Sequence, residues 1–235
     1  MVGLLIASPL NGLVVRAEEP ERWERLFVSA PNDSWIEAGD ARLDADDPRN
    51  LIGTNGEGVL ISTKTGARAD RNLVSEHLFD DVELRLEFLL AKGSNAGVKL
   101  QGLYEVQLFD SHGFSEPDAT HAGGIYPRAV REPHYYHIDA GTRPLANAAR
   151  PAGEWQSLEI RFRAPRFDDT GKKTSPAVFE EVRLNGEVVQ RMTSVDAPTG
   201  AYWRRAERPT GPIYLQGDHG PVAYRNVRVR PLAPN

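Results

Sequence analysis

The feature that most constrains this chain is an apolar alternation with a period of two. Within residues 79–90, Val82, Leu84, Leu86 and Phe88 alternate with Glu83, Arg85 and Glu87. This is the pattern of an antiparallel strand with one face in a core and the other in water. Leu158, Ile160 and Phe162 alternate in the same way with Glu159, Arg161 and Arg163. Residues 178–184 and 187–190 flank Asn185-Gly186, a pair that tolerates the positive φ a two-residue hairpin turn demands. No run of twelve or more residues sustains a 3.6-residue apolar period, and turn residues recur about every ten positions. These patterns predict an all-β fold, a sandwich of two antiparallel sheets.

Other segments fit that scheme. Residues 35–38 and 41–43 read as two short strands about a Gly39-Asp40 turn, and 44–58 as loop. Residues 59–63, 213–216 and 227–229 read as further strands, and Trp23, Leu26 and Phe27 as the stripe of a helical turn or a strand entry. Residues 111–153 form a long irregular connection carrying His112, His121, His134 and His137 with Tyr126, Tyr135, Tyr136 and Asp139. A connection of that length inside a compact domain is usually functional.

A length of 235 residues with 40% hydrophobic content suits one substantial core. We expect one domain over residues 18–235. Residues 2–15 are mostly apolar, and Ala17 before Glu18-Glu19 resembles a cleavage position, so residues 1–17 read as the remnant of a secretory signal peptide and the protein as exported, periplasmic or extracellular. Asn11 and Gly12 interrupt the apolar run, which makes it too short for a membrane span. A net charge of -5 and a pI near 5.7 argue against a nucleic-acid partner. Without cysteine there are neither disulfides nor thiolate metal sites.

The stretch richest in chemistry is residues 94–110, a loop, a short strand, a break at Gly102 and a second strand. Alternation sends Val106 and Leu108 into the core and Glu105 and Gln107 to the opposite face. Glu105, Gln107 and Asp110, spaced i, i+2, i+5, share a face only if a bulge follows Gln107.

With Gly123-Gly124-Ile125-Tyr126, Gly153-Glu154-Trp155-Gln156, Leu184-Asn185-Gly186, Leu215-Gln216-Gly217-Asp218-His219-Gly220 and Tyr224-Arg225-Asn226-Val227 in order behind that stretch, the chain resembles the 3-keto-disaccharide hydrolase domain family over about residues 23–232. The resemblance implies a concanavalin A-like jelly roll with a concave sugar-binding sheet, and substrates that are glycosides oxidised at the 3-position. The family's Tyr-Glu-x-Gln and following Asp fall on Tyr104, Glu105, Gln107 and Asp110, while its Asn-Ser-Gly stands here as Asn95-Ala96-Gly97. The segment 127–150 is longer than the family's usual connection.

A 3-keto group acidifies the hydrogen on C2, so cleavage needs a base there, a proton donor for the leaving oxygen and a polariser for the ketone. On the resemblance, the candidate catalytic residues are Glu105 as base with Asp110, a loop histidine or His219 as donor. The candidate substrate-binding residues are Asn95, Lys99, Gln107, Tyr126, Tyr214, Gln216 and Arg225, and Trp155, Trp203 and Tyr214 are candidate stacking platforms. Two alternatives stand beside this reading. One is ordinary retaining hydrolysis by Glu105 and Asp110, similar to the Glu-x-Asp-x-x-Glu strand of laminarinase-like glucanases, whose carboxylates sit about 5–5.5 Å apart. The other is a non-catalytic carbohydrate-binding module; an interaction domain whose concave face receives a protein loop is a further, blander possibility. The sequence specifies no cofactor, and His134, His137 and Asp139 have the spacing to ligate a divalent metal.

Overall fold

The computed structural model describes residues 22–27, 30–62 and 71–233. The apolar N-terminal run and its Ala17 position lie outside them. Among the described residues the strands are β1 (Glu24–Arg25), β2 (Trp35–Ala38), β3 (Ala41–Leu43), β4 (Leu51–Gly53), β5 (Val59–Ser62), β6 (Leu73–Val74), β7 (Val82–Leu90), β8 (Asn95–Leu100), β9 (Tyr104–Phe109), β10 (Ala129–Val130), β11 (Tyr136–His137), β12 (Gln156–Arg163), β13 (Arg166–Phe167), β14 (Lys173–Ser175), β15 (Ala177–Leu184), β16 (Glu187–Val195), β17 (Tyr214–Leu215) and β18 (Val222–Pro231). The fold is all-β, a jelly-roll sandwich of antiparallel sheets.

The larger sheet runs β16-β15-β12-β7-β18-β5-β2, with β1 joined to the far end of β18. The smaller runs β6-β17-β8-β9. Ile125 extends the smaller sheet beyond β9 by bridging Val106 on one side and Thr142 on the other.

The alternation in β7 does what its period dictates. Val82, Leu84, Leu86, Phe88 and Leu90 face the core with Leu158, Ile160 and Phe162 of β12 and Tyr224 of β18. Across the sandwich they meet Ala96, Val98, Leu100, Tyr104, Val106 and Leu108 from β8 and β9. Phe162 lies 5.5 Å from Tyr104 and 5.2 Å from Phe179, which ties the two sheets together through one ring. The Asn185-Gly186 hairpin forms as its sequence requires, with φ of 54° and 83°.

Three expectations change. The strands on either side of Gly39-Asp40 do not pair with each other: β2 joins β5, while β3 pairs with β4, which lies in the stretch read as loop. The β3–β4 pair covers a second small apolar cluster of Ala38, Ala41, Leu51, Val59, Ile61, Leu89, Ala91 and Ala223 outside the large sheet. The third concerns the supposedly wet face of β7. Glu83 is only 6% exposed, because Arg161 and Arg230 each close on it at 2.6 Å, and Arg85 pairs with Glu159 at 3.0 Å. Trp23, beside β1, lies between Arg85 and Arg230 at 4.6 and 4.7 Å. Cross-strand charge pairs of this kind let arginine stems cover the sheet while their heads stay in water.

Phe162→Ala should cost about 3–5 kcal/mol, because a fully buried ring at the junction of both sheets leaves a cavity. Arg85→Ala, which opens an exposed pair, should cost no more than about 1 kcal/mol. Urea unfolding midpoints measured for both variants check the difference.

Candidate active site

The site begins with a turn. β8 and β9 pair from Leu100 with Tyr104 outward, which leaves Gln101, Gly102 and Leu103 to reverse the chain, with φ of 55° and 67° at the first two. Glycine serves at the second because that backbone conformation costs it nothing. This register puts Lys99 opposite Glu105, Gly97 opposite Gln107 and Asn95 opposite Phe109. Since Ala96, Val98, Leu100, Tyr104, Val106 and Leu108 fill the core, those six partners line the other face. The pairing continues unshifted to Asp110, whose N–H donates to Ser94 O at 3.1 Å.

The bulge needed to bring Asp110 onto the Glu105 face therefore does not form. Asp110 instead closes the turn before β8, its Oδ2 accepting from Gly93 N–H at 2.9 Å.

On that face Lys99 Nζ lies 3.2 Å from Glu105 Oε2, and both side chains are largely buried, 12% and 5% exposed. Gly97 makes room for the pair, since a Cβ there would sit 2.3 Å from Glu105 Oε1. Burial alone would lower the pKa of the Lys99 ammonium, but the Glu105 charge and hydrogen bond outweigh it and hold that pKa above the ordinary lysine value. The ring of Tyr202 lies 5.1 Å from Nζ on a further side. Gln107 Nε2–H donates to Asn95 Oδ1 at 3.1 Å, which leaves Gln107 Oε1 buried with no protein donor.

β17 lies along the other edge of β8. Tyr214 is in register with Lys99, and Gln216 N–H donates to Gly97 O at 2.8 Å. Tyr224 reaches from the larger sheet to donate its hydroxyl to Gln216 O at 2.8 Å. Beyond Gln216, His219 O accepts from Asn95 N–H, and His219 Nδ1 lies 2.6 Å from Asp218 Oδ1. With Nδ1–H donated to that carboxylate, Nε2 is the nitrogen free to act on a substrate. The hydrogen bond donated to Asp218 is the main cause of a raised His219 pKa, with burial opposing it and the Glu105 charge adding to it.

Over the face stand two loop segments. Tyr126 N–H donates to Glu105 O at 3.1 Å, and the Tyr126 hydroxyl lies 3.2 Å from both Tyr135 Oη and His137 Nε2. Thr199 Oγ1 accepts from Glu105 N–H at 3.1 Å, and Gly200 exchanges backbone hydrogen bonds with Pro127 and Ala129. Glu207, which accepts from Tyr104 Oη and pairs with Lys173 at 2.6 Å, pins the far end of this second segment.

A family model, the 3-keto-alpha-glucoside-1,2-lyase-like domain, matches residues 22–230. The chain belongs to this family. Among solved structures it is similar to a protein of Parabacteroides distasonis ATCC 8503 provisionally described as a glycosyl hydrolase, at 23% identity and a TM-score of 0.59 over 89% of this chain and 84% of that one. A second protein of the same organism, so described, aligns at 21% identity and a TM-score of 0.51 over 90% of this chain and all of that one. Both support the fold. No curated protein is matched.

Of the residues that the resemblance singles out, Asn95, Lys99, Glu105, Gln107, Tyr126, Tyr214, Gln216 and His219 gather in and around this one face of the smaller sheet. Arg225 does not join them. It projects from the outer side of the larger sheet, where it pairs with Glu87, lies 3.5 Å from Asp40 and stacks 3.9 Å from the Trp155 ring. That position also removes Trp155 as a stacking platform. Trp203 lies near Arg128 and Arg204. The three candidate metal ligands are not assembled either. Asp139 holds Arg128 and the Gly141 N–H, His137 bonds Tyr126, and His134 is exposed. Among the described residues no group of three or more His, Cys, Asp or Glu could hold a metal ion. Thr199, Gly200 and Tyr202 were not anticipated, because nothing local in residues 199–202 signals the register that folds them over β9.

Asp218→Asn should lower the His219 pKa toward or below the ordinary histidine value, since it removes the largest raising contribution. The same change should make the imidazolium lose its proton at lower pH. An NMR titration of the His219 ring checks both direction and assignment.

Proposed function

We propose that this protein cleaves 3-keto-glucosides by elimination at C1–C2 followed by hydration. The family is one of carbohydrate processing, and the observation that carries the finer reading is the Lys99–Glu105 pair set in the floor of the polar face. The face supplies the three groups the chemistry needs. Glu105 takes the proton from C2, and the electron pair becomes the C2–C3 enolate. The oxygen on C3 is then negative beside the Lys99 ammonium, a charge already in place before the reaction begins. Collapse of the enolate restores the ketone, forms the C1–C2 double bond and breaks the bond from C1 to the aglycone oxygen. His219 Nε2–H protonates that oxygen as it leaves. Water then adds at C1 and a proton at C2, giving the free 3-keto sugar. Gln107 Oε1 and Asn95 accept and orient sugar hydroxyls, which answers the unpartnered amide oxygen.

Retaining hydrolysis needs a second carboxylate about 5–5.5 Å from the first, and Asp110, engaged with Gly93 off this face, does not serve. The proposal separates from a binding module by turnover. Wild type should release alcohol from methyl 3-keto-glucoside and leave methyl glucoside intact, whereas Glu105→Gln should lower kcat by about 10²–10⁴-fold while still binding the ketone in calorimetry. Binding without turnover by the wild type would mean a module, and equal turnover of the unoxidised glucoside would mean direct hydrolysis.

A further inference from the structure

The polar face is walled on one side by three rings. Tyr126 meets His137 edge-on at 5.3 Å, and Tyr135 meets the same imidazole at 5.7 Å. Tyr126 is half-buried while Tyr135 is 53% exposed, so the wall rises from the floor of the site to the surface. Its foot stands beside the carboxylate. A Cβ added to Gly200 would lie 3.9 Å from Glu105 Oε2 and 3.9 Å from Tyr126 Cδ1, so the missing side chain leaves space between the two. That space lies on the β9 side of Glu105, beside Tyr126, and would receive a leaving group turned toward β9.

The Tyr126 hydroxyl is the hub of the wall's polar contacts. Tyr135 Oη–H donates to Tyr126 Oη, and His137 Nε2 closes on the same oxygen. Arg128 and Asp139, next along the loop, are paired with one another. A second sugar ring, with hydroxyls around its rim, would have to displace these bonds to find partners at the Tyr126 hydroxyl. A flat aromatic group needs ring faces and edges, which the wall offers.

We infer that the wall of Tyr126, Tyr135 and His137 seats an aromatic aglycone, so that aryl-bearing 3-keto-glucosides are preferred over alkyl ones. The inference rests on the 3-keto-glucoside reading above. It is tested with benzyl and methyl 3-keto-glucosides, whose leaving alcohols are of similar basicity, so that leaving-group chemistry does not set the difference. Wild type should show kcat/KM about tenfold higher for the benzyl substrate, the equivalent of about 1.4 kcal/mol. Tyr135→Ala, at an exposed position, should collapse the ratio toward one. Equal kcat/KM for the two substrates in the wild type, or an unchanged ratio in Tyr135→Ala, would overturn the inference. If neither ketone is turned over, the reaction reading fails, and calorimetric binding of unoxidised benzyl and methyl glucoside decides the seat by itself: tighter benzyl binding lost in Tyr135→Ala supports it, and equal binding overturns it.

Discussion

The ion pair between Lys99 and Glu105 is the constraint on which the site depends. Two opposite charges that are nearly buried cannot be kept by the low dielectric of a sandwich unless they face each other with good geometry. That geometry is set by backbone register alone, because the two residues are directly opposite in an antiparallel ladder. A one-residue slip would turn both charges into the core and Val98 and Val106 out of it. The hydrophobic face of β8 and β9 therefore polices the polar face, and the apolar cluster that stabilises the sandwich is also what aligns Lys99 with Glu105.

The neighbouring groups follow from the same frame. Gly97 must lack a side chain because the Glu105 carboxylate occupies its place. Gln216 is fixed by a backbone bond to Gly97 and by Tyr224 from the opposite sheet, so the strand that leads to Asp218 and His219 is held from both layers. The electrostatics divide the labour: the lysine stays cationic beside its carboxylate, and the histidine is made a stronger proton holder by Asp218. One fixed positive charge and one exchangeable proton are what a reaction passing through an enolate and expelling an alkoxide requires.

Much of this frame is legible in the sequence. The period of two in β7 and β12, the Asn185-Gly186 turn and the sidedness of Glu105 against Val106 are local properties, and they appear in the fold as read. The misreadings come from facts that are not local. Asp110 seemed available only through a bulge, but the Gln101–Gly102–Leu103 turn fixes a ladder without one, and a parity count from Lys99 would have paired it with Glu105. Arg225 lies next to a core tyrosine and so must point outward, yet which sheet β18 joins decides whether outward means the site or the far surface. The histidines of residues 111–153 illustrate the limit differently: the spacing of His134, His137 and Asp139 suits a metal, but a spacing carries no information about Arg128, which takes the carboxylate.

The central claim is that Glu105, charged beside Lys99, removes the hydrogen on C2, and isotope exchange tests it most directly. Methyl 3-keto-glucoside turned over in D2O, with the mixture quenched and reduced at early conversion, should give product carrying deuterium at C2 for the wild type, and Glu105→Gln should incorporate none above the uncatalysed exchange. Product that retains its original hydrogen at C2 while the glycosidic bond is cleaved would contradict the account.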